Sequence, residues 1–238
     1  ASDVYKRQIP LLYKLFARLL YNRLEPILDK QQSTDQAGFR RKFSTEDHLF
    51  TITMIQEKSQ EWQVPVWVAT LDFKKAFDTV SHNALWTALT EQNVPHNYTK
   101  LLAQLYYGQT ATVKTDVLSR EFNIQRGTKQ GDPLSSLLFN SLSEAIFQKL
   151  KPQWSRQQKG LRLTPHDCTP LTNLRFADDV LLFAQTLSRL TKMLQDISTE
   201  AMKVGLELHP DKTKILHNQQ HRRTRHQPEQ TNVNGMNI

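Results

Sequence analysis

The sequence predicts an α+β fold in which helices cover one face of an antiparallel sheet and leave the other face for a ligand. Three observations predict it. Short apolar or β-branched runs alternate with helical periodicity in the order strand, helix, hairpin, helix, hairpin, helix. Two of these runs, 171–176 and 180–184, are separated only by Ala177, Asp178 and Asp179, the spacing of a tight turn. No internal repeat is visible, and the longest apolar runs, such as Val180 to Ala184, are far too short to span a bilayer.

Residues 1–8, ASDVYKRQ, match the translation of a common sequencing adapter and read as an assembly scar, so the natural chain is expected to begin upstream of Ile9. From Ile9 to Leu28 apolar residues recur at helical spacing (Leu12, Leu15, Phe16, Leu19, Leu20, Leu24) between basic ones, an amphipathic helix expected to stop near Pro26. A polar, Gly-containing loop over 31–44 carries the basic run Arg40, Arg41, Lys42, which by itself reads as a solvated face. Ser44 or Thr45 caps a helix that runs to about Trp62. Val64 to Leu71 has the composition of a buried strand and runs directly into Asp72. Ser81 caps a helix reaching Gln92, Leu101 to Tyr107 is helical in pattern, and 110–117 with 121–125 alternate as a hairpin. Gly127 to Pro133 is a loop, and Pro133 suits the first turn of a long helix over 134–150 with Leu137, Leu138, Leu142, Ile146 and Phe147 inward. Ser188 to Val204 is helical and closed by Gly205, before a strand over 206–208 and the segment HPDKTKIL. Residues 218–232 are Gln, His, Arg and Asn with almost nothing apolar, and disorder is expected there.

With 238 residues the chain suits one substantial domain, or two subdomains sharing a core. Lys and Arg number 31 against 23 Asp and Glu, a net charge of +8 that favours a polyanionic partner. The single cysteine, Cys168, excludes an internal disulfide and a zinc knuckle, and points to a reducing compartment, cytosol or nucleus. The carboxylates are more specific. Asp72 ends an apolar strand, where capping the following turn is its plainest role. Asp178 and Asp179 share a tight turn that would ordinarily take Asn-Gly, and their mutual repulsion calls for a countercharge. A divalent cation such as Mg²⁺ supplies one. Should the strand ending at Asp72 lie beside this hairpin, three carboxylates converge, as needed to hold two metals about 3.5–4 Å apart for phosphoryl displacement.

The segments TLDFKKAFDTV, QRGTKQGDPLSSLLFN, RFADDVLLFA and GLELHPDKTKIL stand in the order and rough spacing of palm motifs A to D of reverse transcriptases. IPLLYKLFARLLYNRLEPIL and QQSTDQAGFRRKFSTEDHLF resemble fingers motifs of the non-LTR retrotransposon and group II intron enzymes, so the resemblance covers Ile9 to Leu216. It implies a right-hand polymerase with fingers over 9–63 and a palm over 64–217. That palm would be an RRM-like antiparallel sheet with helices on one face and a finger-like hairpin near 110–125. Residues 233–238 resemble a truncated strand before the primer grip, with the thumb beyond.

The resemblance further makes Asp72 and Asp178 metal ligands, with Asp179 beside them and the Phe73 backbone carbonyl completing a shell for two Mg²⁺, or Mn²⁺ in their place. Lys212 would be the acid that protonates pyrophosphate, although His209 stands where the family often has Asn. Arg40 and Lys42, with Lys74, Lys75 and Ala76, would meet the nucleotide. Phe77 would exclude a ribose 2′-hydroxyl, and Gln130 and Gly131 would border nucleotide and template. From the residues alone, Phe77 reads as a core aromatic and Asp78 as structural. The implied function is RNA-templated DNA synthesis for a non-LTR element, with RNA template, DNA primer or target, and dNTPs as partners, in nucleus and cytoplasm. A group II intron-type enzyme and an inactive RNA-binding remnant are the alternatives.

Overall fold

A computed structural model describes residues 9–113, 118–164, 169–218, 232–233 and 235–237. The expected scar at 1–8, Cys168 and nearly all of the polar stretch 218–232 lie outside them. In chain order the elements are α1 (Leu11–Asp29), α2 (Thr45–Glu61), β1 (Trp67–Leu71), α3 (Ala76–Thr79), α4 (His82–Glu91), α5 (His96–Tyr106), β2 (Thr110–Ala111), β3 (Phe122–Asn123), α6 (Pro133–Arg156), β4 (Asn173–Phe176), β5 (Asp179–Ala184), α7 (Leu187–Lys203), β6 (Lys214–His217), β7 (Asn232–Val233) and β8 (Met236–Asn237). They fall into two compact units, Ala1–Gln32 with Lys75–Ala145, and Ser33–Lys74 with Ile146–Ile238. These divisions do not coincide with residue 63, where the fingers were expected to end.

The second unit contains a fully antiparallel sheet in the order β4-β5-β1-β6. Strand alternation sends successive side chains to opposite faces. Ala69, Leu71, Val180, Leu182 and Ala184 are buried on one face, and α7, which packs against β5 and β1, buries Leu190, Met193, Leu194 and Ile197. On the other face Val66, Val68, Leu181, Phe183 and Leu174 cluster with Ile52 and Ile55 of α2. This face turns polar along β1, through Thr70 to Asp72. Ser44 caps α2 through a reciprocal arrangement with Asp47, which settles the expected choice between Ser44 and Thr45.

The first unit packs α1, α4, α5 and the start of α6 around Leu20, Leu24, Leu28, Leu85, Leu89, Leu102, Leu134 and Leu138. Every residue from 138 to 147 of α6 is buried, polar ones included. Gln92 ties α4 to α6 by donating to the Ser141 carbonyl at 2.7 Å.

Several elements differ from expectation. Helix α1 runs through Pro26, in its last turn, and forgoes the one hydrogen bond that an N–H there would donate to the Asn22 carbonyl. Its inward stripe is Tyr13, Ala17, Leu20, Leu24 and Leu28, whereas Leu12, Leu15, Phe16 and Leu19, which also carried the helical periodicity, are exposed. Two apolar stripes compete on this helix, and a buried partner for Tyr13 favours the first. Helix α5 begins at His96, directly after Pro95. Only two residues on each side pair in the 110–125 hairpin, and 114–117 lie outside the described residues. The last strand of the sheet is Lys214–His217, while 206–208 contribute a single bridge, Phe73 to Leu208. Instead of a lone strand, the C-terminal residues form a short hairpin turning at Gly235 (φ +85°), with Val233 buried.

Candidate active site

Within the second unit the sheet itself brings the carboxylates together. β1 pairs with β5 from Trp67 opposite Ala184 to Leu71 opposite Val180, so the next step of the ladder sets Asp72 across from Asp179. Directly opposite residues of an antiparallel pair share a face. β4 pairs with β5 as far as Phe176 opposite Asp179, leaving Ala177 and Asp178 as the two-residue turn. The expected adjacency of the three carboxylates is therefore present. Burial pushes the Asp179 carboxyl above the usual aspartate range, the charges of Asp178 and Asp72 push it further, and Lys212 opposes them.

Lys212 reaches Asp72 because of a local offset. Between the pair Phe73–Leu208 and the pair Trp67–His217, β1 advances six residues and its partner nine, so three residues are extra. They form the 3₁₀ turn Pro210–Lys212, which closes when Thr213 donates from N–H (3.0 Å) and hydroxyl (2.9 Å) to the His209 carbonyl. The acceptor is the main-chain carbonyl of His209, which the histidine side chain does not affect. The turn places the Lys212 ammonium 2.6 Å from the Asp72 carboxylate, whose hydrogen bond and charge raise the lysine's pKa. Phe73 is buried, and its bridge to Leu208 is carried by bonds of its neighbours, Lys74 N–H to Glu207 and His209 N–H to Asp72, each 2.8 Å.

The Ala177–Asp178 turn is held from beneath by residues that the sequence reading did not single out. Ala177 has φ +59°, a left-handed conformation unfavourable for any residue with a Cβ. Gln36, 0 % exposed, grips both polar groups of that residue: its amide oxygen accepts from Ala177 N–H (3.1 Å) and its amide nitrogen donates to Ala177 C=O (3.3 Å). The same oxygen accepts from Gly38 N–H at 2.8 Å. A Cβ on Gly38 would lie 2.2 Å from the Ala177 nitrogen, so only glycine fits there. Ala37 N–H donates to Arg175 C=O at 2.9 Å, and Arg175 N–H to Asp35 C=O at 2.7 Å, which lays residues 35–37 alongside β4. Arg175, fully buried, stacks over Phe147.

Arg40 donates to the carbonyls of Ser33 (2.7 Å) and Gln36 (3.0 Å) and covers the Phe43 ring. It shapes the loop that presents Gln36. Lys42 is exposed at φ +66°, and the Lys74 ammonium meets Glu207 at 2.6 Å.

In the first unit, Lys75 (φ +46°) leads into α3 and Ala76 is buried. Phe77 packs on Phe139 with ring centres 4.5 Å apart, and its carbonyl accepts from Thr128 N–H at 2.6 Å. The loop bearing Gln130 and Gly131, both exposed, is anchored at each end. Gly127 lies so close to Asp78 that a Cβ would sit 2.5 Å from its carbonyl oxygen. At the other end Tyr13 donates to the buried Asp132 carboxylate at 2.7 Å, while the Lys129 ammonium sits 3.9 Å from the Tyr13 ring centre. Burial and Asp132 push the Tyr13 hydroxyl far above its usual range, and burial lowers Lys129.

The pattern described as "Reverse transcriptase (RNA-dependent DNA polymerase)" matches residues 5–238. The chain belongs to this reverse transcriptase family. Among curated proteins, the chain is 30% identical over 178 residues to the Pol polyprotein of type-2 retrotransposable element R2DM from Drosophila melanogaster. It is 31% identical over 206 residues to that of type-1 element R2 from Nasonia vitripennis. These matches cover 74% and 84% of the chain but only 16% and 19% of the relatives. R2 relatives support the non-LTR branch expected from the motifs. The fold is also that of telomerase from Candida tropicalis, at TM-score 0.65 and 16% identity over 87% of this chain and 41% of that one. In this reverse transcriptase domain no described helix is long and apolar enough to cross a membrane. Nor, among the described residues, do three or more His, Cys, Asp or Glu form a ready-made metal cage.

Proposed function

We propose that this chain carries the polymerising centre of a non-LTR retroelement, adding deoxynucleotides to a DNA primer on an RNA template. The observation that supports the reading is the cross-strand juxtaposition of Asp72 and Asp179 with Asp178 in the adjoining turn, in a chain of this family. Asp72, Asp178, Asp179 and the Phe73 carbonyl are an all-oxygen donor set that suits two Mg²⁺ or Mn²⁺. Mg²⁺ in such sites takes one or two carboxylates and leaves its other positions to water and substrate phosphates. When bound, the cations lower the pKa of the primer hydroxyl and stabilise departing pyrophosphate.

In the step itself the primer 3′-oxygen bonds to the α-phosphorus as the bond to the bridging oxygen breaks. The hydroxyl proton passes to solvent water, and one proton returns to pyrophosphate. In this reading Lys212, whose ammonium lies 2.6 Å from the Asp72 carboxylate, is the donor. Arg40, Lys42, Lys74 and Lys75 serve the triphosphate; Ala76, Phe77, Gln130 and Gly131 serve sugar, base and template. The partners are an RNA template, a DNA primer or target, and dNTPs, in nucleus and cytoplasm.

Primer extension on poly(rA)·oligo(dT) with Mg²⁺ or Mn²⁺ tests this. Asp72→Ala and Asp178→Ala should each lower the rate by roughly 10²-fold or more, as expected when several kcal/mol of transition-state stabilisation is lost, while duplex binding persists. Near-normal extension by either variant overturns the assignment. Binding without extension by a chain carrying the thumb would favour the RNA-binding remnant.

A further inference from the structure

We infer that Gln36 is a positioning residue for the carboxylate turn: its side-chain amide holds Ala177 left-handed and thereby fixes Asp178 and Asp179 for cation binding. This rests on the polymerase reading above for its consequence, but the clamp is a matter of geometry alone. A left-handed alanine persists only where its surroundings over-determine it. Here they do so with three hydrogen bonds to one buried amide, from Ala177 N–H, to Ala177 C=O and from Gly38 N–H. A primary amide carries acceptor and donor side by side, so it can face the N–H and C=O of a single residue at once. Glutamate lacks the donor and methionine lacks both.

Gly38 completes the device. With its Cβ position 2.2 Å from the Ala177 nitrogen, the 36–38 loop lies against the turn with no room for a side chain between them. The backbone pairing of residues 35–37 with Arg175 sets the loop's register along β4, so the grip falls on Ala177 and on no neighbour. Asp178 and Asp179 follow directly in the chain. Their direction from the sheet end is set by the Ala177 backbone, both of whose polar groups the Gln36 side chain holds. Groups that orient ligands in this way typically change metal affinity by about 10–100-fold when removed.

The test uses this chain with Gln36→Met, Ala177→Gly and the double variant, each checked for folding by circular dichroism. Two readouts are taken: hydrogen exchange of the 174–182 segment without metal, and Mn²⁺ binding by electron paramagnetic resonance. Gln36→Met should speed exchange at Ala177 and weaken Mn²⁺ binding about tenfold. Adding Ala177→Gly should restore affinity to within about twofold, because glycine adopts the positive φ without help. Gln36→Glu, which keeps the acceptor and loses the donor, carries the test if Gln36→Met does not fold.

Unchanged exchange overturns the clamp. Faster exchange with unchanged Mn²⁺ affinity, or a double variant no better than the single, overturns the positioning role, since a merely structural glutamine would alter stability alone. Mn²⁺ binding that is absent from the unsubstituted chain, or indifferent to Asp178→Ala, overturns the polymerase reading and the positioning role with it, while exchange still judges the clamp.

Discussion

Asp179 and Lys212 hold opposite sides of one electrostatic balance, and each can be weighed separately. The folded state raises the Asp179 pKa above the ordinary 3.8, so it binds that proton more tightly than the unfolded chain does. Stability from this residue is therefore present at low pH and is lost as pH rises from the unfolded value through the folded one. At neutral pH without metal, Asp179→Asn should raise the melting temperature slightly, by at most about 2 °C given the residue's exposure, and the gain should vanish near pH 3. A drop in melting temperature at neutral pH would contradict it. Phe77→Ala should increase ribonucleotide incorporation relative to deoxyribonucleotide in primer extension, because selectivity built by exclusion relaxes with the excluding group. Unfolding, or unchanged sugar discrimination, would leave Phe77 as the partner of Phe139 and nothing more. Asp72, Asp178, Asp179 and Lys212 were nominated as candidates from linear motifs, because each sits beside diagnostic neighbours in the chain. Gln36 was not. Its partner Ala177 is 141 residues away, and a glutamine in a polar loop carries no local sign of being buried.

Elements whose signals are local were also legible: the capping box of α2, the stop of α7 at Gly205 and the hairpin between β4 and β5. Those set by pairing were not. The three-residue offset that turns 206–208 into a bridge and 214–217 into a strand arises only when the segment lies against β1. For α1, periodicity identified a helix but could not choose between its two apolar stripes. The choice turns on Tyr13, whose hydroxyl satisfies the buried Asp132 at the start of α6. Tyr13→Phe keeps the ring under Lys129 and deletes that bond, leaving a buried carboxylate short of a partner. It should cost about 1–3 kcal/mol, read as a fall in melting temperature. An unchanged melt would mean that water replaces the hydroxyl at no cost and that Tyr13 does not select the stripe.

Across the whole chain, the reverse transcriptase family was readable from the order of the motifs, but compactness was not. The chain passes between its two units three times, after Gln32, Lys74 and Ala145, and clustering in space leaves no mark on composition. Net charge is a different kind of property, fixed by counting. At +8 the chain should bind RNA/DNA duplex with an affinity that falls steeply with salt. A log–log slope near −5 would correspond to about six phosphate contacts, and a flat salt response would exclude a backbone-dominated interface. The same charge bears on the outer face of α1, where Leu11, Leu12, Leu15, Phe16 and Leu19 stand in water with Lys14 and Arg18 among them. In dilute buffer, repulsion between like-charged copies keeps such faces apart; added salt screens the repulsion and strengthens apolar association. Washing away adventitious nucleic acid with concentrated salt therefore removes the colloidal protection too, and the preparation that is cleanest is the one closest to precipitating.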